Sequence, residues 1–361
     1  MFEQKKYFSQ LIAADLASKY LVPVEDVLLI ALNRYGVCAS IDDNRIRFHL
    51  KLSTHNETFY LAVCVNTYPS PFTVKNDKLY LDDEVIGVIS EIEKDTCDTT
   101  YFRRNKTEMT LNSNMRSQCR GCKFCGSYNL DPEDKVDMSY PDQVREFVEH
   151  YLRDNKLIDL SGLLRVTICT GCFQNEDDLV SHIIMIYNTF KEYGFKKRIR
   201  YIGSQIRSEM AMLKIEENIP DFSLSITVEC FTQRDLRMRK EKGGLDILTI
   251  KDVLSRAQRH GFATNYLYIV GLDPLNILEE GNKLLSGSIT RFPVFQVMQN
   301  YRRNQEKQRV QEAISLEYYL KARKIIESVF KESGLKPRSW ENYRGLFYLT
   351  YQNELLKCIR I

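Results

Sequence analysis

LLRVTICTGCFQNEDDLVSHIIMIYNTFKEYGFKKRIRYIGS, residues 163–204, is the stretch of the chain that decides the fold. It holds two short apolar runs of strand length, at 163–169 and 198–204. Between them, apolar residues recur at helical spacing over 176–194, and Gly194 ends that pattern. A strand, a helix and a second strand in this order predict a β-α-β unit, because parallel strands need a long crossover connection.

The alternation of strands and helices continues along the chain. In order, we predict a helix through about Asn218, a strand at 222–230, a helix at 248–261, a strand at 264–271, a helix at 275–285, a strand at 292–298 and a long helix at 304–330. We expect one more strand near 113–117. About six such units predict an α/β fold, a partial (β/α)6 TIM-type barrel, because a closed barrel would need eight.

The first part of the chain has a different pattern. Apolar residues at helical spacing run over 7–34 with an interruption near Pro23, and three alternating runs predict strands at 45–53, 57–65 and 78–89. The sequence therefore predicts three parts. They are an N-terminal α+β domain (1–110), the partial barrel (111–335) and a C-terminal extension (336–361).

Composition and charge are those of an ordinary globular protein. Of the 361 residues, 43% are hydrophobic and 27% are charged, and the formal net charge is only +3. Such a small charge argues against nucleic acid as a partner, and no stretch approaches the roughly 18 apolar residues of a membrane span. The N-terminus has no apolar signal core, so we expect a cytoplasmic protein without membrane contact.

Three of the ten cysteines lie within one short segment, MRSQCRGCKFCGSYNL. Cys119, Cys122 and Cys125 sit on a glycine-containing loop, where closely spaced thiolates can converge on one metal centre. Three thiolates on a four-iron cluster leave one iron open to a bound molecule. Two alternatives stay open: a structural zinc ion with a distant fourth ligand, and three unrelated thiols.

The cysteine triplet resembles the cluster loop of the radical S-adenosylmethionine (SAM) superfamily, whose usual spacing is Cys-x3-Cys-x-aromatic-Cys. The second half, from Cys122 through the aromatic Phe124 to Cys125, matches this pattern. The first half departs from it, since two residues rather than three separate Cys119 and Cys122. The resemblance covers about 111–335 and implies that the three cysteines hold a [4Fe–4S] cluster.

The resemblance also implies which residues contact SAM. The segment TICTGCF (167–173) takes the place of a glycine-rich segment that contacts the SAM amino group, and Glu229 takes that of a ribose-binding residue. An arginine soon after Glu229 (Arg234, Arg237 or Arg239) is expected to pair with the SAM carboxylate, because a guanidinium offers a bidentate fork. The implied SAM contacts are Phe124, Thr170, Gly171, Ser204, Glu229, Arg234, Arg239 and Gly271.

The implied activity is reductive cleavage of SAM at the [4Fe–4S] cluster. The 5′-deoxyadenosyl radical so formed would abstract hydrogen from a substrate, with an electron donor such as flavodoxin or ferredoxin. No cysteine-rich C-terminal extension is present, which favours a small molecule from a biosynthetic or cofactor pathway: an amino acid, sugar or nucleoside. The alternatives are a radical SAM modifier of peptide or RNA, and a non-catalytic iron–sulfur or zinc protein.

Other residues have two interpretations each. Cys169, Cys172 and Cys230 follow predicted strands, where they could bind a second cluster or simply be core residues. The segment 301–303, Tyr-Arg-Arg, follows the last predicted strand and could face a substrate phosphate or carboxylate, or begin a solvated helix. The sequence identifies no catalytic residue beyond these cofactor sites.

Overall fold

The computed structural model describes residues 8–67, 69–94, 101–113, 122–125 and 138–356. Cys119, one of the three predicted cluster ligands, lies outside them. The α-helices are Gln10–Tyr20 (α1), Val24–Tyr35 (α2), Pro141–Asp154 (α3), Glu176–Glu192 (α4), Glu209–Asn218 (α5), Arg234–Arg237 (α6), Lys240–Gly243 (α7), Ile247–Arg259 (α8), Leu275–Ser286 (α9) and Leu316–Val329 (α10). In the described part of the chain, no helix is long and apolar enough to span a membrane.

The strands fall into two large sheets and one short hairpin. They are Cys38–Ala39 (β1), Arg45–Leu52 (β2), Thr58–Cys64 (β3), Phe72–Lys75 (β4), Lys78–Leu81 (β5), Glu84–Lys94 (β6), Tyr101–Arg103 (β7), Glu108–Leu111 (β8), Arg165–Cys169 (β9), Arg198–Gly203 (β10), Phe222–Glu229 (β11), Ala263–Val270 (β12), Val294–Val297 (β13), Thr350–Tyr351 (β14) and Glu354–Leu355 (β15).

The second sheet is the predicted partial barrel. Its strand order is β13-β12-β11-β10-β9-β8-β7, and β8 to β13 are all parallel. The strands follow each other in chain order with helices between them, and α8 packs on β11 and β12. The sheet curls into a partial (β/α)6 TIM-type barrel, which confirms the predicted fold class. Its first parallel strand, β8, lies a few residues before the predicted range of 113–117.

The N-terminal unit pairs two helices with a six-stranded sheet of order β1-β4-β5-β6-β2-β3. The predicted interruption near Pro23 is confirmed, because α1 ends at Tyr20, its C-cap residue Leu21 has a φ of 52°, and α2 begins after Pro23. Helix α2 is buried from Asp26 to Arg34 and contacts β3, α10 and β13. It therefore joins the N-terminal unit to the last elements of the barrel.

The predicted long helix at 304–330 is wrong in its first half. The chain instead forms two 3₁₀ segments, Arg303–Gln308 and Gln311–Ile314, before α10. The Val310 N–H donates to the Gly271 carbonyl at 3.0 Å, and the Arg309 guanidinium donates to the Met298 carbonyl at 2.9 Å. These bonds hold the segment against the strand ends of the barrel, and they replace the regular helix that local propensity favours.

The segment after α10 returns to the barrel interior. Glu341 lies 2.6 Å from Arg165 of β9, 2.5 Å from Arg291 and 3.5 Å from Arg200 of β10. Gly345 then forms an isolated bridge with Gln296 of β13. This C-terminal segment therefore contributes side chains to the space that the strands enclose.

Candidate active site

A cavity of about 280 Å³ lies inside the partial barrel, among the carboxyl ends of its parallel strands. The strands supply its walls, with Cys169, Ile202, Glu229, Ile269 and Gln296 among the lining residues. In folds with parallel strands, the catalytic and binding residues lie at this end, because the loops that follow the strands meet there. The cavity is therefore the candidate site for binding and chemistry.

The described part of the cysteine loop lies at this cavity. It forms a tight turn, in which the Cys125 N–H donates to the Cys122 carbonyl at 3.0 Å. The Lys123 N–H donates to the Arg237 carbonyl at 2.9 Å, and the Gln305 amide donates to the Lys123 and Cys125 carbonyls at 3.0 and 3.2 Å. The loop is thus fixed from both sides, by the segment after β11 and by the first 3₁₀ segment.

Phe124 fixes the turn by packing into the protein interior. Its ring is 6% exposed and belongs to a small apolar cluster, against which Cys122 also packs. The other members of this cluster are Cys230, Met238, Ile269, Leu272 and Met298. Phe124 and Cys125 both line the cavity, so the turn presents its aromatic ring and a thiol to the same space.

The turn contains two thiols, Cys122 and Cys125, and thiolates are ligands for iron–sulfur clusters and zinc. Burial raises the pKa of the Cys122 thiol, while Lys242 and a backbone hydrogen bond from Arg239 act to lower it. A bound cation would reverse the effect of burial and favour the thiolate form. Within the described ranges, no group of three His, Cys, Asp or Glu side chains could hold a metal ion. Since Cys119 lies outside these ranges, the cluster at Cys119, Cys122 and Cys125 stays a prediction.

Glu229 is held in an unusual backbone conformation at the end of β11. Its φ of 67° lies in the left-handed region, and the register with β12 shifts between Thr227 and Glu229. The side chain lines the cavity and lies 2.5 Å from the Lys242 ammonium. Strained backbone of this kind persists where the surroundings fix it, which is common at functional sites.

The three predicted arginines differ in their surroundings. Arg234 is 7% exposed and donates to the carbonyls of four residues, at 2.5–3.1 Å: Val228, Cys230, Lys242 and Leu245. Arg237 donates to the Leu272 carbonyl and is 3.8 Å from Asp273. Arg239 pairs with the exposed Glu241 at 2.7 Å, and its backbone bonds to Cys122. The Arg234 guanidinium therefore holds the loop after β11.

Six of the eight predicted SAM contacts do not line the cavity. In the described structure, Thr170, Gly171, Ser204, Arg234, Arg239 and Gly271 are absent from the cavity wall, whereas Phe124 and Glu229 belong to it. Thr170 donates to the Gly171 carbonyl at 2.7 Å, and the Ser204 carbonyl accepts from Arg207 at 2.7 Å. Gly271 has a φ of 118°, and a Cβ there would come 2.9 Å from the Tyr319 hydroxyl. Whether these residues contact SAM stays a prediction.

The further cysteines also lie in this region. Cys169 lines the cavity, and burial raises the pKa of its thiol to about 11. Cys230 is fully buried, its thiol lies 3.3 Å from the Thr232 carbonyl, and burial raises its pKa to about 12. Cys230 therefore fits the interpretation as a core residue, whereas Cys169 belongs to the cavity wall.

Sequence reasoning missed five arginines that line the cavity: Arg45, Arg47, Arg103, Arg200 and Arg344. Part of the signal was available. In RIRYIGS, the alternation puts Arg200 and Ile202 on the face opposite Ile199 and Tyr201, which are both core residues. Tyr301 also lines the cavity, as one of its two interpretations expected.

Comparisons with known proteins give matches among solved structures. No protein-family model matches the chain, and neither does any curated protein sequence. The chain is similar to SuiB of Streptococcus suis bound to S-adenosylmethionine, with 12% identity and a TM-score of 0.38 over 54% of this chain and 41% of that chain. It is similar to coproporphyrinogen III oxidase (HemN) of Escherichia coli, a radical SAM enzyme, with 15% identity and a TM-score of 0.44 over 59% and 50%.

A third similar structure is the cobalamin-dependent S-adenosylmethionine radical enzyme OxsB, with 12% identity and a TM-score of 0.33 over 73% of this chain and 42% of that chain. The chain spans about two fifths to one half of the length of these solved proteins. All three solved proteins are described as binding S-adenosylmethionine or as S-adenosylmethionine radical enzymes.

Proposed function

We propose that the chain is a radical SAM enzyme whose [4Fe–4S] cluster is held by Cys119, Cys122 and Cys125. When bound, the cluster supplies the electron that cleaves SAM to a 5′-deoxyadenosyl radical, which abstracts hydrogen from a small-molecule substrate. The observation that carries this proposal is the position of the Cys122–Cys125 turn. It lies at the carboxyl ends of the parallel strands and lines the same cavity as Glu229.

The protein's own residues have three tasks in this proposal. Phe124 and its apolar neighbours exclude water from one side of the turn. Glu229 offers carboxylate oxygens to the SAM ribose hydroxyls, and the Lys242 ammonium, 2.5 Å away, holds this carboxylate in place. For the SAM carboxylate we propose Arg239 over Arg234, since the Arg234 guanidinium is buried among carbonyls, whereas Arg239 pairs with the exposed Glu241 and its backbone adjoins Cys122.

The test is anaerobic purification with iron, sulfide and zinc analysis, followed by measurement of 5′-deoxyadenosine release under dithionite. We expect about four irons per chain and release of 5′-deoxyadenosine from SAM. The variant Cys122→Ala should lose both. Cys38→Ala is the matched control, because Cys38 lies in the first sheet, away from the cavity, and this variant should keep both.

Other metal contents would lead to other conclusions. One zinc ion, with no iron after reconstitution and no SAM cleavage, would contradict the proposal and leave a zinc-stabilised binding protein. About eight irons would keep the proposal and add a second cluster, for which Cys169, Cys172 and Cys230 are the nearby thiols. Equal loss in Cys122→Ala and Cys38→Ala would mean that the substitutions damage folding and not a cluster site.

A further inference from the structure

The buried side chain of Gln305 joins the first 3₁₀ segment to the cysteine turn. Its amide oxygen accepts from the N–H groups of Tyr301 and Arg302 at 2.8 and 3.1 Å. Its amide nitrogen donates to the carbonyls of Lys123 and Cys125 at 3.0 and 3.2 Å. A primary amide has two donor hydrogens and one oxygen with two lone pairs, so these four bonds use the whole hydrogen-bonding capacity of the side chain.

The four partners of Gln305 require an amide. A glutamate would have the same shape, but an ionised carboxylate only accepts hydrogen bonds and would face the two carbonyl oxygens of the turn. An apolar side chain of this length would form none of the four bonds. Either change removes two donors from the backbone of the turn, and lost partners are costly where the groups are buried. The amide at position 305 is therefore matched to the turn that it contacts.

The next residue, Glu306, ties the same segment to the N-terminal unit. Its carboxylate accepts from the buried Arg34 guanidinium of α2 at 2.8 Å and lies 3.3 Å from the Arg309 guanidinium. Arg34 also donates to the carbonyls of Ala313 and Ile314, in the second 3₁₀ segment, at 3.2 Å. Hydrogen bonds between charged groups are among the stronger ones in proteins. Helix α2 therefore fixes both 3₁₀ segments from the side of the N-terminal unit.

We infer that Gln305 is a positioning residue for the cysteine turn, and that the N-terminal unit supports it through Arg34 and Glu306. The contacts run from α2 to the first 3₁₀ segment, and from there to the backbone on both sides of Phe124. They hold Cys125 at the cavity wall. The inference rests on the proposed function only where it concerns a bound cluster, because the contacts themselves involve no bound group.

The first measurement is thiol alkylation of the full chain, which needs no cluster. The protein is treated with a chelator and a reductant and then with iodoacetamide, and mass spectrometry gives a rate for each cysteine. Gln305→Met is neutral and similar in length but forms none of the four bonds. We therefore expect alkylation of Cys122 and Cys125 to be about tenfold faster, because the turn opens locally more often. Cys38 of β1 is the internal reference and should keep its rate.

Two further variants complete this measurement. Gln311→Met is the matched control, because Gln311 is exposed on the second 3₁₀ segment, and every cysteine should keep its wild-type rate. Glu306→Gln tests the support from the N-terminal unit, since a neutral amide weakens the bond to Arg34 and leaves Gln305 unchanged. We expect it to raise the rates of the two turn thiols about threefold, because a charge-assisted bond is replaced by a weaker one. Glu312→Gln, at an exposed position nearby, is its control.

The second measurement uses the chain loaded anaerobically with ferrous iron and sulfide. In a redox titration followed by electron paramagnetic resonance, Gln305→Met should shift the midpoint potential and Gln311→Met should not. The potential of a cluster depends on the hydrogen bonds and the solvent exposure around it, which a role in overall stability alone would not change. Thermal unfolding followed by circular dichroism shows which variants are folded. Gln305→Ala replaces Gln305→Met if the latter does not fold, since it removes the same bonds and places no group against the carbonyls.

Three results would overturn the inference. They are wild-type alkylation of the turn thiols in a folded Gln305 variant, an equal rise in Gln311→Met, and a wild-type midpoint potential in the loaded Gln305 variant. Faster alkylation in Gln305→Met but not in Glu306→Gln would overturn the support from the N-terminal unit. A protein that holds no iron and cleaves no SAM, but whose turn thiols respond to Gln305→Met, would overturn the proposed function and keep the positioning role. SAM cleavage with unchanged alkylation would do the opposite.

Discussion

Replacing Glu341 by glutamine should strongly destabilise the protein. The carboxylate is 6% exposed and is shared by Arg165 and Arg291 at 2.6 and 2.5 Å, and by Arg200 at 3.5 Å. The neutral amide would leave these guanidinium groups buried without their common counter-charge. Breaking a buried ion pair by removing one partner costs about 3–5 kcal/mol. Arg165 keeps Glu108 at 2.7 Å, so we expect the lower end, about 3 kcal/mol.

The assay is urea unfolding followed by circular dichroism, in which the midpoint should fall while the slope m stays constant. The matched control is Glu354→Gln. Glu354 pairs with Lys336 on the surface, where both side chains are more than half exposed, so its loss should cost about 1 kcal/mol or less. A Glu341→Gln variant within about 1 kcal/mol of the wild type would refute the reasoning.

The pH dependence gives a second check on Glu341. Burial alone raises the pKa of this carboxyl, but Arg165, Arg200 and Arg291 outweigh burial and hold it well below its usual value. A lowered pKa means that the stabilisation is fully present above the unfolded pKa of about 4.3, and is lost as pH falls towards the folded pKa. The difference between wild type and Glu341→Gln should therefore be constant near neutral pH and shrink below about pH 4.

Three more changes test other parts of the structure. Gly271→Ala should lower the thermal midpoint by several degrees, because a φ of 118° strains any side chain, whereas Gly162→Ala, with no atom within 4 Å of its new Cβ and an ordinary φ, should change it little. Asp273→Asn should cost about 1–3 kcal/mol in urea unfolding, since the buried carboxylate accepts two backbone N–H groups and two hydroxyls. A hydrogen bond with Glu216 raises the pKa of His260, so this contact stabilises below about pH 6.5 and is lost as pH rises through the folded pKa; His260→Gln should flatten the stability profile across that range.

The barrel could be predicted because its local patterns agree with its tertiary structure. The strands and the longer helices between 163 and 298 have a clear period, and each strand is paired with its chain neighbour, so short-range signals are enough for them. The short helices α6 and α7 were not predicted. The segment 303–314 could not be predicted in the same way. Its helical pattern is overridden by bonds from Arg309 and Val310 to residues of the barrel that are distant in sequence.

The candidate site also has a part that could be predicted and a part that could not. The cysteine turn could be proposed because its cysteines are close together in the sequence. The arginines that line the cavity were missed because Arg45, Arg103 and Arg344 come together only in the folded chain. In the sequence, each has the pattern of an ordinary surface charge.

The position of Tyr343 connects the N-terminal unit, the barrel and the C-terminal segment. Its backbone carbonyl accepts from the Ala62 N–H of β3 at 3.2 Å, while its ring lies against Arg47 of β2 and Arg103 of β7. The next residue, Arg344, bonds through its carbonyl to the Val297 N–H of β13 at 2.8 Å. The five arginines that line the cavity therefore come together only when all three parts are assembled, because no single part supplies more than two of them.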